Sequence, residues 1–253
     1  MVHHLRLYVL PPSHYCERAR WALDHMGLAY TEERWAVGLH AMRAWRIAKG
    51  TTLPILVAGS EVIQGSGLIL DWTGMQGSAP ALEQRFEERV GVLVRQFIYT
   101  GTLGVVGSGD RDALLDGVSP GQALLGRLMW PITRRLMVSG MNARPALVPE
   151  LEHKIIAELD WFEDELAGRQ HLIGDKFGRA DLTAASLLAP LARPSACPLY
   201  RNVRTPERLE QVLTRWRARR SLQWVEEIYA KYRHSTIGQA DPHKLPHPFP
   251  TLV

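Results

Sequence analysis

The stretch TTLPILVAGSEVIQGSGLILDW, Thr51–Trp72, decides the fold. Proline has no backbone N–H to give to a sheet, so Pro54 can open a strand but not sit in the middle of one. Two short runs, Pro54–Val57 and Glu61–Gln64, follow around the turn Ala58-Gly59-Ser60 and predict a pair of neighbouring strands. Gly65 and Gly67 then break the strand pattern, and the apolar run after Ser66 predicts a helix to about Thr73 with Ser66 as its cap. Strand, turn, strand and helix in so short a span make the closing half of a small α/β unit.

Upstream, Leu5–Val9 reads as a strand ended by Pro11-Pro12. His14–Met26 reads as a helix, because Ala19, Ala22, Leu23 and Met26 share one face and Gly27 stops it. Leu28–Arg34 is a second strand and His40–Ala48 a short helix ended by Lys49-Gly50. The order β-α-β-α-β-β-α implies a small sheet flanked by helices, with a right-handed crossover between the first, parallel pair.

Downstream, the composition shifts at the linker 74–80, and no convincing strand alternation follows. Phe86, Val90, Leu93, Val94 and Phe97 form one helical stripe, and Leu151, Ile155, Leu159, Phe162 and Leu166 another. Gly-rich breaks at 100–109 and 139–148 bracket a helix near Gly121–Val138. Leu182–Leu191 is apolar nearly all round and predicts a buried central helix. Leu209 with Trp216, and Val225 with Tyr232, mark two more. The expected division is an α/β domain over 1–76, an all-α domain over 81–233, and an extended tail over 234–253.

A content of 46% hydrophobic and 22% charged residues excludes a disordered or fibrous chain. The net charge of +4 is spread through the chain except at Arg215, Arg217, Arg219 and Arg220, expected to form a solvated helix face. No zinc-type spacing and no nucleic-acid motif is present, so neither a metal nor a nucleic acid is expected. Two cysteines make no disulfide framework. The N-terminal apolar run is too short for a signal peptide, and no run approaches the roughly 20 residues of a membrane span. The expected compartment is the cytoplasm, with no membrane partner.

The chemistry gathers at helix starts. Ser13 stands at the predicted N-cap of the first helix, where its hydroxyl accepts a backbone N–H. Unpaired N–H groups and the helix dipole make the same place an anion site. A thiolate held beside Ser13 would be stabilised there. Cys16 lies within the first turn, either exposed with a lowered pKa or turned inward as an inert thiol. A cis Leu53-Pro54 bond would leave the Leu53 backbone free to pair with an extended peptide. At Ser66 a second helix start suits a carboxylate, with Gln64 as a further donor.

These segments carry a resemblance. SHYCERARWAL (13–23), TTLPIL (51–56) and QGSGLILDW (64–72), in this order, resemble the thioredoxin-like domain of cytosolic glutathione transferases. LIGDKFGRADLTAASLLAPL (172–191) resembles the family's entry into its central C-terminal helix, with Gly178 as N-cap and the Asp181 carboxylate reaching back to it. The implied fold is an α/β N-terminal thioredoxin-like domain followed by an all-α C-terminal helical domain.

The implied activity is activation of the glutathione thiol by Ser13 for attack on a small apolar electrophile, in a homodimer. Leu53 matches the residue whose backbone holds the cysteinyl part of glutathione, Pro54 the cis-proline, Ser66 the serine at the γ-glutamyl carboxylate, and Lys49 the region near the glycyl end. Tyr15, Arg95, Tyr99, Met129, Trp130 and Met137 are candidates for the electrophile pocket. Three positions depart from the family: Gly65 where Glu or Gln is common, His14 where proline is frequent, and Gly178 where Ser or Thr caps. Two other readings stay open, a glutathione-dependent thiol reductase or lyase using Cys16 and a non-catalytic binder of apolar ligands.

Overall fold

The computed structural model describes residues 4–103, 110–200, 203 and 205–233. The expected tail from His234 and most of the first Gly-rich break lie outside the described residues. Strand β1 (Leu5–Val9) pairs in parallel with β2 (Tyr30–Arg34) and antiparallel with β3 (Ile55–Ala58), and β3 pairs antiparallel with β4 (Glu61–Gln64). The sheet order is β2-β1-β3-β4. Helices α1 (His14–His25), α2 (His40–Ala48) and α3 (Ser66–Thr73) connect and close it. This is the expected thioredoxin-like arrangement.

Alternation along β1 explains the layers. Leu5, Leu7 and Val9 pack with Cys16, Ala19 and Leu23 of α1 and Ile69 of α3, while Tyr8 turns to the other face with Trp35, Ala44 and Ile55. Strand β3 starts at Ile55, one residue later than expected, since Pro54 has no N–H for the ladder. The cap of α3 is Gly65, at φ 104°, and not Ser66, which is the first residue of the helix and makes no capping bond. Only glycine takes that backbone without strain, so the residue before the serine sets the turn.

The second unit is helical throughout its described residues. Helix α4 (Pro80–Arg85) runs through a π turn (Phe86–Val90) into α5 (Gly91–Thr102). There the Gly91 N–H reaches back five residues to the Phe86 carbonyl. The sequence stripe predicts an unbroken α-helix here, because the inserted turn leaves Phe86, Val90, Val94 and Phe97 all buried. A short α6 (Asp110–Leu114) was not expected from the sequence. Then come α7 (Pro120–Gly140), a 3₁₀ turn (Pro145–Leu147), α8 (Val148–Leu166), α9 (Arg179–Ala192), α10 (Glu207–Trp216) and α11 (Arg220–Tyr232).

Every residue of α9 from Ala180 to Ala192 is buried, so it is the central helix the apolar run predicts. Trp21 of α1 joins the same core, stacking near Phe177 and Tyr229. The expected solvated arginine face is partly paired instead. Arg217 meets Glu210 at 3.0 Å, two turns back on its own helix α10, and Arg219 meets Glu163 at 3.1 Å and Asp160, both on α8.

The linker is anchored. Met75 is buried, and the Gln76 and Gly77 carbonyls accept the N–H groups of Arg179 (2.8 Å) and Ala180 (3.0 Å) at the start of α9. Asp181 accepts from the N–H of Gly178 at 2.9 Å, as expected of the cap, and from that of Leu172 at 2.7 Å. A Cβ on Gly178 would stand 3.0 Å from the Gly77 Cα. That close approach explains glycine where a hydroxyl residue usually caps.

Candidate functional site

Sheet register brings the sequence-predicted residues to one edge. Tyr8 pairs with Ile55 and Ile55 with Gln64, so the end of β1, the start of β3 and the end of β4 lie side by side. The segments just beyond them, at Ser13, Leu53-Pro54 and Gly65-Ser66, therefore share that edge. The Leu53–Pro54 bond is cis. Leu53 lies outside the ladder, and among the described residues nothing hydrogen-bonds its N–H or C=O. In α3 the first helical bond is Ile69 N–H to Gly65 C=O, which leaves the N–H groups of Ser66, Gly67 and Leu68 without an intrahelical partner, and Ser66 itself is buried.

Ser13 is the N-cap of α1, and its Oγ accepts the Cys16 N–H at 3.3 Å. It is half-buried and accessible. Cys16 is 0% exposed, packs into the sheet core, and accepts the Leu10 N–H on its sulfur at 3.4 Å. Burial pushes its thiol pKa up despite that bond and the nearby Arg20 charge. The thiol is therefore inert, which removes the exposed reading of Cys16.

The residues after Ser13 dock on the π turn. Tyr15 donates its hydroxyl to the Glu87 carbonyl at 2.8 Å. His14 Nε2 lies 3.2 Å from the Gly91 carbonyl, an acceptor only, so Nε2 carries the proton. Burial first, and then the Arg95 cation, lower the His14 pKa to about 3, so the ring is neutral at physiological pH. Burial raises the Tyr15 pKa to about 12, against the pull of Arg95. The Arg95 guanidinium stands 5.8 Å from the Tyr15 ring centroid. Its charge acts on His14 and Tyr15, the two residues that follow Ser13, and a cation there would also favour an anion held beside the cap.

Sequence reasoning missed Arg18 and Glu87. Arg18 is fully buried one turn beyond the cap, with Nε on Thr183 Oγ1 at 3.1 Å, Nη1 on Glu87 Oε2 at 3.0 Å and Nη1 3.5 Å from Ser66 Oγ. Glu87 is partly open to a hollow of about 290 Å³ that Glu83 and Arg179 also line. Its carboxylate lies against the first turn of α3, where a Cβ on Gly67 would be 2.8 Å away. Charged residues of α1 carry no periodic mark of burial, yet Glu17 pairs with Arg233 at 2.7 Å and Arg20 with Glu32 at 2.5 Å. The only sequence cue was Glu83 and Glu87 four residues apart beside an apolar stripe.

The other expected residues separate. Gln64 gives its amide to the Thr52 carbonyl at 2.8 Å. Lys49 is exposed, its ammonium 5.0 Å from the Trp45 ring centroid. Tyr99, Trp130 and Met137 pack together with Leu10, the residue leading from β1 towards Ser13. Met129 points away from that cluster and is exposed. A groove of about 900 Å³ between α8 and α10 contains none of these residues. Among the described residues no set of His, Cys, Asp or Glu is placed to hold a metal ion.

Comparison with known proteins agrees with the architecture. The glutathione S-transferase N-terminal domain model matches residues 7–81, and the C-terminal domain model matches residues 124–217. Among solved structures, a glutathione transferase from Phanerochaete chrysosporium is similar at 18% identity and TM-score 0.58, covering 92% of this chain and 98% of its own. A Ceriporiopsis subvermispora glutathione S-transferase in complex with glutathione is 16% identical, TM-score 0.53, covering 91% and 98%. A β-etherase from a Sphingobium strain is 16% identical, TM-score 0.51, covering 90% and 99%. At such identities the likeness is one of fold. No curated protein matches the chain.

Proposed function

The chain belongs to the cytosolic glutathione transferase superfamily, and on that premise we infer that it binds glutathione at the edge carrying Ser13, Leu53 and Ser66 and transfers it, through its thiolate sulfur, to an apolar electrophile. The observation that carries this reading is the Ser13 hydroxyl. Its lone pair is engaged by the Cys16 N–H at 3.3 Å, which leaves its own hydrogen to point at a ligand sulfur. The start of α1 and the Arg95 charge add a positive field at the same place. A thiol there loses its proton to water, and the thiolate stays without a protein base.

The rest of the tripeptide follows from the edge. The open Leu53 N–H and C=O suit the cysteinyl backbone, as in strand addition. The first turn of α3 and the Ser66 hydroxyl suit the γ-glutamyl carboxylate, and the Glu87 carboxylate beside Gly67 suits the ammonium group. Glu87 would thus supply from the π turn the side-chain contact that Gly65 lacks. The glutathione complex of the Ceriporiopsis relative supports this ligand for this fold.

The thiolate then forms a bond to an electrophilic carbon as that carbon's leaving group departs. The apolar cluster of Leu10, Tyr99, Trp130 and Met137 is the proposed wall for the electrophile. Detoxification by a cytoplasmic homodimer completes the reading, on the family resemblance. Ser13→Ala is expected to lower glutathione conjugation of a model aryl electrophile by about 10²–10³-fold, the usual effect of losing one donor to a reacting anion. Cys16→Ala should leave the rate within a factor of about two, since its thiol is buried. The reverse result would return the chemistry to Cys16.

A further inference from the structure

Helix α7 has two unlike faces. Inward, Thr133 lies against Gly38, and Trp130 and Met137 join the cluster beside Leu10 and Tyr99. Outward, Leu124, Leu125, Leu128, Met129, Ile132 and Leu136 are bare, each between 40% and 70% exposed. Positions 124, 128, 132 and 136 recur every fourth residue, so they form one stripe along a helix of 21 residues. Together the six leave roughly 600 Å² of apolar surface open, the upper end of what a monomer's largest patch reaches.

Charge selects the occupant. Helix α7 contains Arg127, Arg134 and Arg135 and no Asp or Glu. Arg127 and Arg135 are exposed and Arg134 half-buried. Arg135 lies within the stripe, and Arg127 and Arg134 lie on one flank of the helix, between the stripe and the buried face. A bilayer surface with anionic headgroups accepts both features at once: acyl chains cover the stripe and headgroups meet the arginines.

We propose that the outer face of α7 binds an anionic lipid surface, with the helix lying in the interface plane. No described helix is long and apolar enough to cross a membrane. The sequence expectation of no membrane partner rested on the missing span, and a helix lying on the surface needs none. The inner face of the same helix lines the apolar cluster next to Ser13. Docking therefore sets that cluster close to the lipid in which apolar electrophiles dissolve. The proposal rests on the exposure and charge of α7 and not on the role of Ser13, and its test uses no glutathione.

The test is co-sedimentation of the full chain with vesicles of mixed phosphatidylcholine and phosphatidylglycerol, and with phosphatidylcholine alone. Binding is expected to the mixed vesicles and to be about tenfold or more weaker to the neutral ones, and to fall with added salt. Leu128→Glu/Ile132→Glu and, separately, Arg127→Gln/Arg135→Gln should each lower it by about tenfold or more with the melting temperature unchanged, since these side chains are exposed. No binding to the mixed vesicles, or full binding by Leu128→Glu/Ile132→Glu, would overturn the proposal. So would a lipid-free particle of twice the chain mass that falls to a single chain's mass in Leu128→Glu/Ile132→Glu, which assigns the face to a second copy.

Discussion

At the scale of single residues, Ser13 and Cys16 show how far sequence chemistry reaches. The cap role of Ser13 was legible, because a serine before an apolar 3.6-residue pattern has few other places to be. The inward turn of Cys16 was open from the sequence and is settled by its contacts with the sheet core. His14 was legible only as a departure from the family. Its reason is the Gly91 carbonyl, 77 residues away in the chain. That contact has a consequence for stability. The folded pKa of about 3 lies below the ordinary 6.5. Above pH 6.5 both folded and unfolded chains hold a neutral ring, so the contribution is complete there. As the pH falls from 6.5 towards 3 the unfolded chain takes up a proton that the folded chain does not, and stability drops by about 1.4 kcal/mol per pH unit. His14→Gln, which keeps a donor for the carbonyl, should flatten that part of the stability curve measured by urea unfolding. An unchanged slope would mean that His14 titrates as an exposed histidine.

At the scale of elements, periodicity located most helices and strands to within a residue or two, because each buries a regular face. It could not show the π turn. An inserted residue there preserves the buried stripe while rotating Glu87 and Gly91 towards α1, and only the partner helix reveals the purpose. Gly91 is glycine for that partner: a Cβ would lie 2.7 Å from the Tyr15 hydroxyl and 3.0 Å from the Phe86 carbonyl. Gly121, also in a helix, has nothing within 4 Å of such a Cβ. Gly91→Ala should therefore destabilise by about 1–3 kcal/mol through overpacking. Gly121→Ala should stabilise by about 0.4–1 kcal/mol through the unfolded chain. Urea midpoints compare the pair, and equal shifts would show that α1 does not press on the π turn.

At the scale of the molecule, α1 belongs to both domains. One side closes the sheet, while Trp21 joins the helical core and Glu17 and Arg18 carry buried charges into it. Fold class was legible because motif order and the central apolar helix survive without knowing any contact. The buried charge pairs were not, since each partner lies far along the chain. Arg18 joins α1 to Thr183 of α9 and to Glu87 of the π turn beside α3. Arg18→Met should cost about 1–3 kcal/mol, because buried Thr183 loses its donor and half-open Glu87 its cation, while Glu83 keeps Arg179. A loss below about 1 kcal/mol would show the network to be incidental. The central claim is that this joined edge stabilises a thiolate at Ser13. Its most direct test is a pH titration of the ultraviolet thiolate absorbance of glutathione bound to the full chain, which Cys16 and Cys197 do not obscure because burial holds both thiols up. The bound thiol should titrate at least about one unit below the ordinary thiol value near 8.5 in the unaltered protein, and return to it in Ser13→Ala. A bound thiol that titrates as it does in free solution, or one still lowered after Ser13→Ala, would contradict the account.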